Sequence, residues 1–166
     1  MDKATAFQIG RLHPSRRQSA LKALAKVEEA DVNIRITQGL RTIDEQNAIW
    51  LSDRPGAKLT DHSIDPRWPG AHKTYAKGGE SFHNYGLAID FCLLIGGKEV
   101  SWSTKADLDH DGRADWLEVI DIFGVFGWAS GLYWKKPDAP HLESAGGFTF
   151  QQLRTMMKDA AGYPIF

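Results

Sequence analysis

Residues 81–94 read Ser81-Phe82-His83-Asn84-Tyr85-Gly86-Leu87-Ala88-Ile89-Asp90-Phe91-Cys92-Leu93-Leu94. From Leu87 the stretch alternates. Leu87, Ile89, Phe91 and Leu93 share one face, and Ala88, Asp90, Cys92 and Leu94 share the other. A period of two sustained over eight residues predicts a strand with an apolar face on a core. Asp90 interrupts that pattern, because an ionised carboxylate within an apolar strand is costly unless it is paired or holds a metal. His83 enters the same strand. Downstream, Pro140-His141-Leu142-Glu143 supplies a second strand-like histidine, with Glu143 on its face.

Two histidines and one aspartate form a common three-ligand set for catalytic zinc, with the fourth position open to water. A structural ion pair between the strand aspartate and a histidine fits the same residues. Spacing alone leaves both readings open.

Helical signals lie on either side of this strand. Ser15-x-x-Gln18, Thr42-x-x-Glu45 and Thr149-x-x-Gln152 are capping boxes. They predict helices from Ser15 with Ala20, Leu21, Leu24 and Val27 on one face, from Thr42 to about Leu51, and from Thr149 to about Ala160. Asn33 to Gln38 alternates and predicts a strand. A hairpin partner is expected after Gly96-Gly97, near Glu99 to Trp102. Asp115 to Phe126 predicts a helix burying Trp116, Val119, Ile120 and Phe123. Short strands are expected near Gly131 to Trp134 and His141 to Ser144. Arg54 to Glu80 is rich in proline, glycine and charge and predicts a long surface loop, a kind of segment that is often functional. The sum is an α+β domain spanning residues 1–166, a small antiparallel sheet flanked by helices, with no separate binding domain.

Composition agrees with one packed core. The chain has 166 residues, of which 42% are hydrophobic, with six tryptophans and eight phenylalanines. A net charge of −1 gives no electrostatic footprint for nucleic acid or an anionic membrane. A single cysteine, Cys92, excludes an internal disulfide. No apolar run is long enough to insert into a membrane, and no signal peptide is read at the N-terminus. A monomer is expected, made in the cytoplasm and acting after release or export.

Ser81-x-His83-x-x-Gly86-x-Ala88-x-Asp90, followed by Asp138-x-x-His141, resembles the LAS group of zinc peptidases. That group includes D-alanyl-D-alanine peptidases, vancomycin-resistance dipeptidases and the L-alanyl-D-glutamate endopeptidases of phage endolysins. The likeness extends upstream to Gln38-Gly39-Leu40-Arg41-Thr42 and downstream through Trp128 to Glu143, covering most of the chain in order. It implies a hedgehog/DD-peptidase-like fold, a peptidoglycan stem-peptide substrate, and zinc on His83, Asp90 and His141. It implies Asp138 as general base and Arg41 as the arginine of the cleft. Dipeptidase branches tend to carry Glu at the base and the endolysin branch Asp, which favours the L-Ala-D-Glu bond. Gln38, Ser81 and Trp134 are expected to contact substrate, although Ser81 also reads as a loop hydroxyl and Trp134 as core. Tyr85, Trp128 and Tyr133 are further aromatic candidates for the cleft. Glu143 is a rival base or a residue that orients a ligand. The alternatives are a D-Ala-D-Ala carboxypeptidase or dipeptidase of the same fold, and a non-catalytic zinc- and calcium-binding module.

A second metal signal stands on its own residues. Residues 107–118 place Asp107, Asp109, Asp111, Asp115 and Glu118 at positions 1, 3, 5, 9 and 12, with Gly112 at position 6. That is the register of an EF-hand calcium loop, in which the Arg113 carbonyl would be the seventh-position ligand. An acidic helix start complementing the helix dipole is the simpler reading. The usual entering helix is missing, so a calcium loop grafted onto the domain is expected. His13, His62, His72 and His110 lack partners at ligand spacing and are expected to be solvated.

Overall fold

A computed structural model describes residues 1–166. Helices α1 (Lys3–Gly10) and α2 (Pro14–Glu29) precede strand β1 (Ile34–Gln38) and helix α3 (Ile43–Leu51). Strands β2 (Ala88–Ile95) and β3 (Glu99–Ser101) follow, then α4 (Asp115–Val125), β4 (Ala129–Ser130), β5 (His141–Glu143) and α5 (Phe150–Thr155). The sheet is antiparallel throughout, ordered β1-β2-β5-β4, with β3 also paired to β2.

The alternation of β2 does what its sequence implies. Ile89, Phe91 and Leu93 join Ile36 and Leu142 in the main core, packed with Leu24 and Val27 of α2 and Trp116, Val119 and Phe123 of α4. Asp90 pairs in register with Gln38 on one side and His141 on the other. The second face of β2, otherwise the buried Ala88, Cys92 and Leu94, therefore carries its one carboxylate between two neighbouring strands, and one of those strands starts with a histidine.

The Thr42 and Thr149 capping boxes form, each with both reciprocal bonds. The box expected at Ser15 does not. Pro14 takes the first helical position, where its missing N–H costs nothing, and His13 becomes the cap, its Nδ1 accepting from the Ser15 N–H at 3.2 Å. His13 is thus 7% exposed and not solvated, and its Nε2 lies 2.9 Å from the Pro164 carbonyl. His72 is also held, between the Trp68 carbonyl at 2.9 Å and Asp53 at 3.4 Å. His62 and His110 are exposed, as expected.

Three further boundaries differ from expectation. Helix α1, capped by Asp2 on the Thr5 N–H, was not signalled, because it buries only Thr5 and Ile9. The expected strand at Gly131 to Trp134 is a 3-10 turn, Gly131–Tyr133, following the short β4. Helix α5 ends at Thr155, because the chain turns back and Lys158 bridges to Pro164.

Residues 54–80 contain no helix or strand, as their composition implies. They are nonetheless tightly tied. Arg54 is 1% exposed, donates to the carbonyls of Trp50 and Thr74, pairs with Asp53 at 2.9 Å, and lies over the Trp50 ring. Asp53 accepts from the Lys73 N–H, and the Lys77 ammonium reaches the Leu59 carbonyl. The segment is a strap folded against α3, and its inner edge forms one wall of the cleft described next.

Candidate active site

His83 sits on a 3-10 turn, Phe82–Tyr85, whose first N–H groups need an outside acceptor. Ser81 Oγ supplies it, accepting from the His83 N–H at 3.3 Å. The turn closes at Gly86 with φ +67°, where a side chain would collide with the His13 backbone nitrogen 2.5 Å from its Cβ. Only glycine satisfies both demands. His83 is left 2% exposed, with Nδ1 donating to the Gly39 carbonyl at 2.7 Å. That bond fixes the ring so that Nε2 presents a lone pair.

His141 is oriented the opposite way round. Its Nε2 lies 3.1 Å from Glu143 Oε2, so donation there leaves Nδ1 as the free nitrogen. His83 Nε2 and His141 Nδ1 face each other at 3.2 Å. Asp90 Oδ1 lies 3.2 Å from the first and 3.4 Å from the second. Two buried lone pairs aimed at one another repel unless a proton or a metal cation lies between them. The three separations match the edge of a zinc tetrahedron, about 3.3 Å for bonds of about 2.0–2.1 Å. The donor set and its spacing therefore fit zinc.

The electrostatics point the same way. Burial pushes Asp90 up, but His83 and His141 hold its carboxyl far below the usual range. Burial disfavours charge on His141, yet Asp90 and Glu143 outweigh it and raise its pKa to about 9. The cluster attracts positive charge where the ring nitrogens converge.

A cleft of about 870 Å³ opens above these three residues. Arg41, Ser81, Trp134, Asp138 and Glu143 line it with them, so the structure brings together most of the residues singled out in the sequence. Arg41 donates to Gln46 Oε1 at 2.9 Å and stands 3.4 Å from Asp90 Oδ2. Trp134 packs on the His141 ring at 4.9 Å between centroids. Asp138 stands at the rim, its backbone N–H bonded to the Gly131 carbonyl at 2.9 Å, and partial desolvation of its carboxyl together with the nearby Asp90 raises its pKa. Gln38 is not part of the cleft wall, and its amide turns back to the Leu40 carbonyl. Tyr85 and Trp128 are buried, and Tyr133 is exposed outside the cleft. Sequence reasoning missed the strap's share of the wall. Tyr75 lies under the Lys136 ammonium at 3.6 Å, and Lys73, Lys135 and Lys136 share the lining with Glu80 and Asp138.

The acidic loop stands apart, between β3 and α4. Asp107, Asp109 and Asp115 converge, as do Asp109, Asp111 and Glu118. Gly112 has φ +94°, the sharp turn its position requires. Asp115 accepts from the Leu108 N–H at 2.8 Å and Asp107 from the Gly112 N–H at 3.1 Å. Asp107 Oδ1 and Glu118 Oε2 are buried and accept no hydrogen bond. Burial and then Asp111 and Asp109 raise the pKa of Glu118. The next residue after Asp115, Trp116, donates its indole N–H to the Ala139 carbonyl at 3.2 Å, between Asp138 and His141.

The chain is similar in sequence and in fold to known peptidases. Residues 74–144 match a family described as D-alanyl-D-alanine carboxypeptidase, of the M15 peptidases. The chain is 37% identical over 133 residues to the peptidoglycan L-alanyl-D-glutamate endopeptidase CwlK of Bacillus subtilis (strain 168), covering 80% of this chain and 72% of that protein. Its fold is similar to that of the L-Ala D-Glu endopeptidase ChiX of Serratia marcescens, with a TM-score of 0.58 and 17% identity over 92% of this chain and 91% of that one. It is also similar to the LD-carboxypeptidase LdcB, with a TM-score of 0.56 and 18% identity over 86% and 63% of the two chains. With that identity to the Bacillus protein over four-fifths of its length, the chain belongs to the M15 family of peptidases.

Proposed function

We propose that this chain is a zinc-dependent peptidoglycan endopeptidase that hydrolyses the L-Ala-D-Glu bond of stem peptides. The observation that carries the reading is the convergence of His83 Nε2, His141 Nδ1 and Asp90 Oδ1 at zinc-like spacing on the floor of an open cleft. The relative named for that bond, at 37% identity, supports the choice of substrate. Arg41, Lys73, Lys135 and Lys136 offer cations in the cleft to the free carboxylates of a stem peptide.

Bound at this site, zinc would polarise the scissile carbonyl and acidify the attacking water. Asp138 takes the proton as water attacks and returns it to the leaving amine, and its raised pKa suits a group that must both accept and give. Arg41 donates to the developing oxyanion or anchors a substrate carboxylate. Glu143 is the weaker candidate for base, since its carboxylate is engaged with His141 Nε2. Ser81 acts through the turn that presents His83, and Trp134 forms cleft wall and His141 packing at once.

Calcium in the loop 107–118 belongs to the same proposal. Supporting it are the ligand register and two buried carboxylate oxygens, on Asp107 and Glu118, that lack any donor. Through Trp116 and the Ala139 carbonyl, an ordered loop would steady the segment carrying Asp138 and His141.

A D-Ala-D-Ala carboxypeptidase is the second reading, favoured by the description of the matching family. Digestion of purified peptidoglycan, with fragments weighed by mass spectrometry, separates the two. Stem peptides released by a cut before D-Glu, abolished by chelator and restored by zinc, are expected. Release of free D-Ala alone would overturn the bond assignment, and activity indifferent to chelator would overturn zinc.

A further inference from the structure

Gln46 lies on the first turns of α3 and is fully buried, although it is polar on every side. Its side chain is shared three ways. Oε1 accepts from Arg41 Nη1 at 2.9 Å, while Nε2 donates to the Ala76 carbonyl at 2.7 Å and to Thr74 Oγ1 at 3.2 Å. Arginine offers only donors and a backbone carbonyl only accepts. An amide of this length meets both demands with its two ends. A glutamate would satisfy Arg41 but set a lone pair against the Ala76 carbonyl, and an apolar side chain would satisfy neither.

The groups so joined all belong to the cleft. Arg41, whose Nε is buried without a partner, reaches Asp90 through Nη2 at 3.4 Å. With only Gln46 and Asp90 touching its guanidinium, those two contacts set its plane. Thr74 and Ala76 flank Tyr75, whose ring carries the Lys136 ammonium from the opposite wall, two residues before Asp138. The strap, the arginine and the metal-binding carboxylate are thus linked through one buried amide.

We propose that Gln46 is a positioning residue for the peptidase reaction, holding the Arg41 guanidinium and the 74–76 wall in one register. Arg41 is then presented to the substrate only while the strap is seated. The inference rests on the reading that Arg41 acts on the substrate.

The test is a double-mutant cycle on the full-length, zinc-loaded chain, with an L-alanyl-D-glutamyl stem peptide as substrate. Gln46→Leu is expected to lower kcat/KM roughly 10- to 100-fold, the scale of a misplaced catalytic group, with zinc content unchanged. In an Arg41→Ala background the same substitution is expected to add less than about threefold, because residues acting as a unit are not additive. Gln46→Glu, which keeps the contact to Arg41 and loses those to the strap, is expected to raise KM more than it lowers kcat. It also serves if Gln46→Leu does not fold. A full, additive cost of Gln46→Leu or Gln46→Glu in the Arg41→Ala background overturns the inference and leaves the role of Arg41 standing. Undiminished turnover of Arg41→Ala itself overturns both.

Discussion

Glu143 Oε2 lies 3.1 Å from His141 Nε2, and this contact leaves the opposite ring nitrogen to face His83. Glu143 therefore sets which nitrogen of His141 is available, and the two are neighbours on one face of β5. Removing it leaves the ring free to turn and less basic.

Glu143→Gln is expected to weaken zinc binding about 10- to 100-fold, the usual cost of losing a partner of a ligating histidine. The zinc-saturated variant is expected to keep most of its turnover. A competition titration with a zinc chelator measures the first, and stem-peptide cleavage at saturating zinc the second. Turnover lost with zinc affinity intact would instead make Glu143 the base.

Asp138→Asn separates the two carboxylates from the other side. Zinc content is expected to match the parent, and kcat to fall by about 10²–10⁴-fold, the contribution typical of a general base. Metal analysis of the purified variant beside its cleavage rate is the check.

Calcium is expected to raise the thermal midpoint of the zinc-loaded chain, and Glu118→Gln to abolish the rise. At one hundred times its Kd, a ligand bound only by the folded state adds about 2.7 kcal/mol. A midpoint unmoved by millimolar calcium would leave the loop a mere acidic helix start.

Asp2 makes stability depend on pH at a place remote from the cleft. Burial raises its pKa, but the Thr5 N–H it caps and the Arg35 guanidinium at 2.5 Å outweigh burial and lower it. A depressed carboxylate stabilises the fold above its unfolded pKa, and that contribution is lost as pH falls through the folded value. Asp2→Ala is expected to cost about 1 kcal/mol at neutral pH, as for other caps. Urea unfolding at both pH values is expected to show the difference shrinking in acid, once the parent's Asp2 is protonated.

Gly86→Ala is expected to destabilise by more than about 1 kcal/mol, because left-handed backbone at φ +67° is compounded by collision with His13. Its expected companion is a loss of zinc affinity, since the same turn presents His83.

What the sequence showed of this fold depended on how local the signal was. The period of two in β2, the spacing of Trp116, Val119 and Phe123, and the Thr42 and Thr149 boxes are settled within a few residues, and all appear. Helix α1 escaped notice because its hold on the sheet is polar and distant, through Thr5 Oγ1 on the Ile36 N–H and Gln8 on the Gly39 N–H. The strap escaped for a similar reason. A buried Arg54 bonded to a carbonyl twenty residues away leaves no periodic mark. At the site, His83, Asp90, His141 and Asp138 were readable as a motif. Gln46 was not, since a glutamine on a helix reads as solvated until its three partners are seen around it.

The turn that presents His83 leans on residues far from it in sequence, at 11–13 and 163–166. His13 donates its N–H to the Gly86 carbonyl, Tyr163 packs beside Gly86 and bonds to the Arg11 carbonyl, and Phe166 stacks on the His13 ring. A chain cut before Tyr163 would keep every residue of the cleft and still lose the buttress behind His83. The orientation of His83 is thereby governed by segments that line no part of the cleft itself.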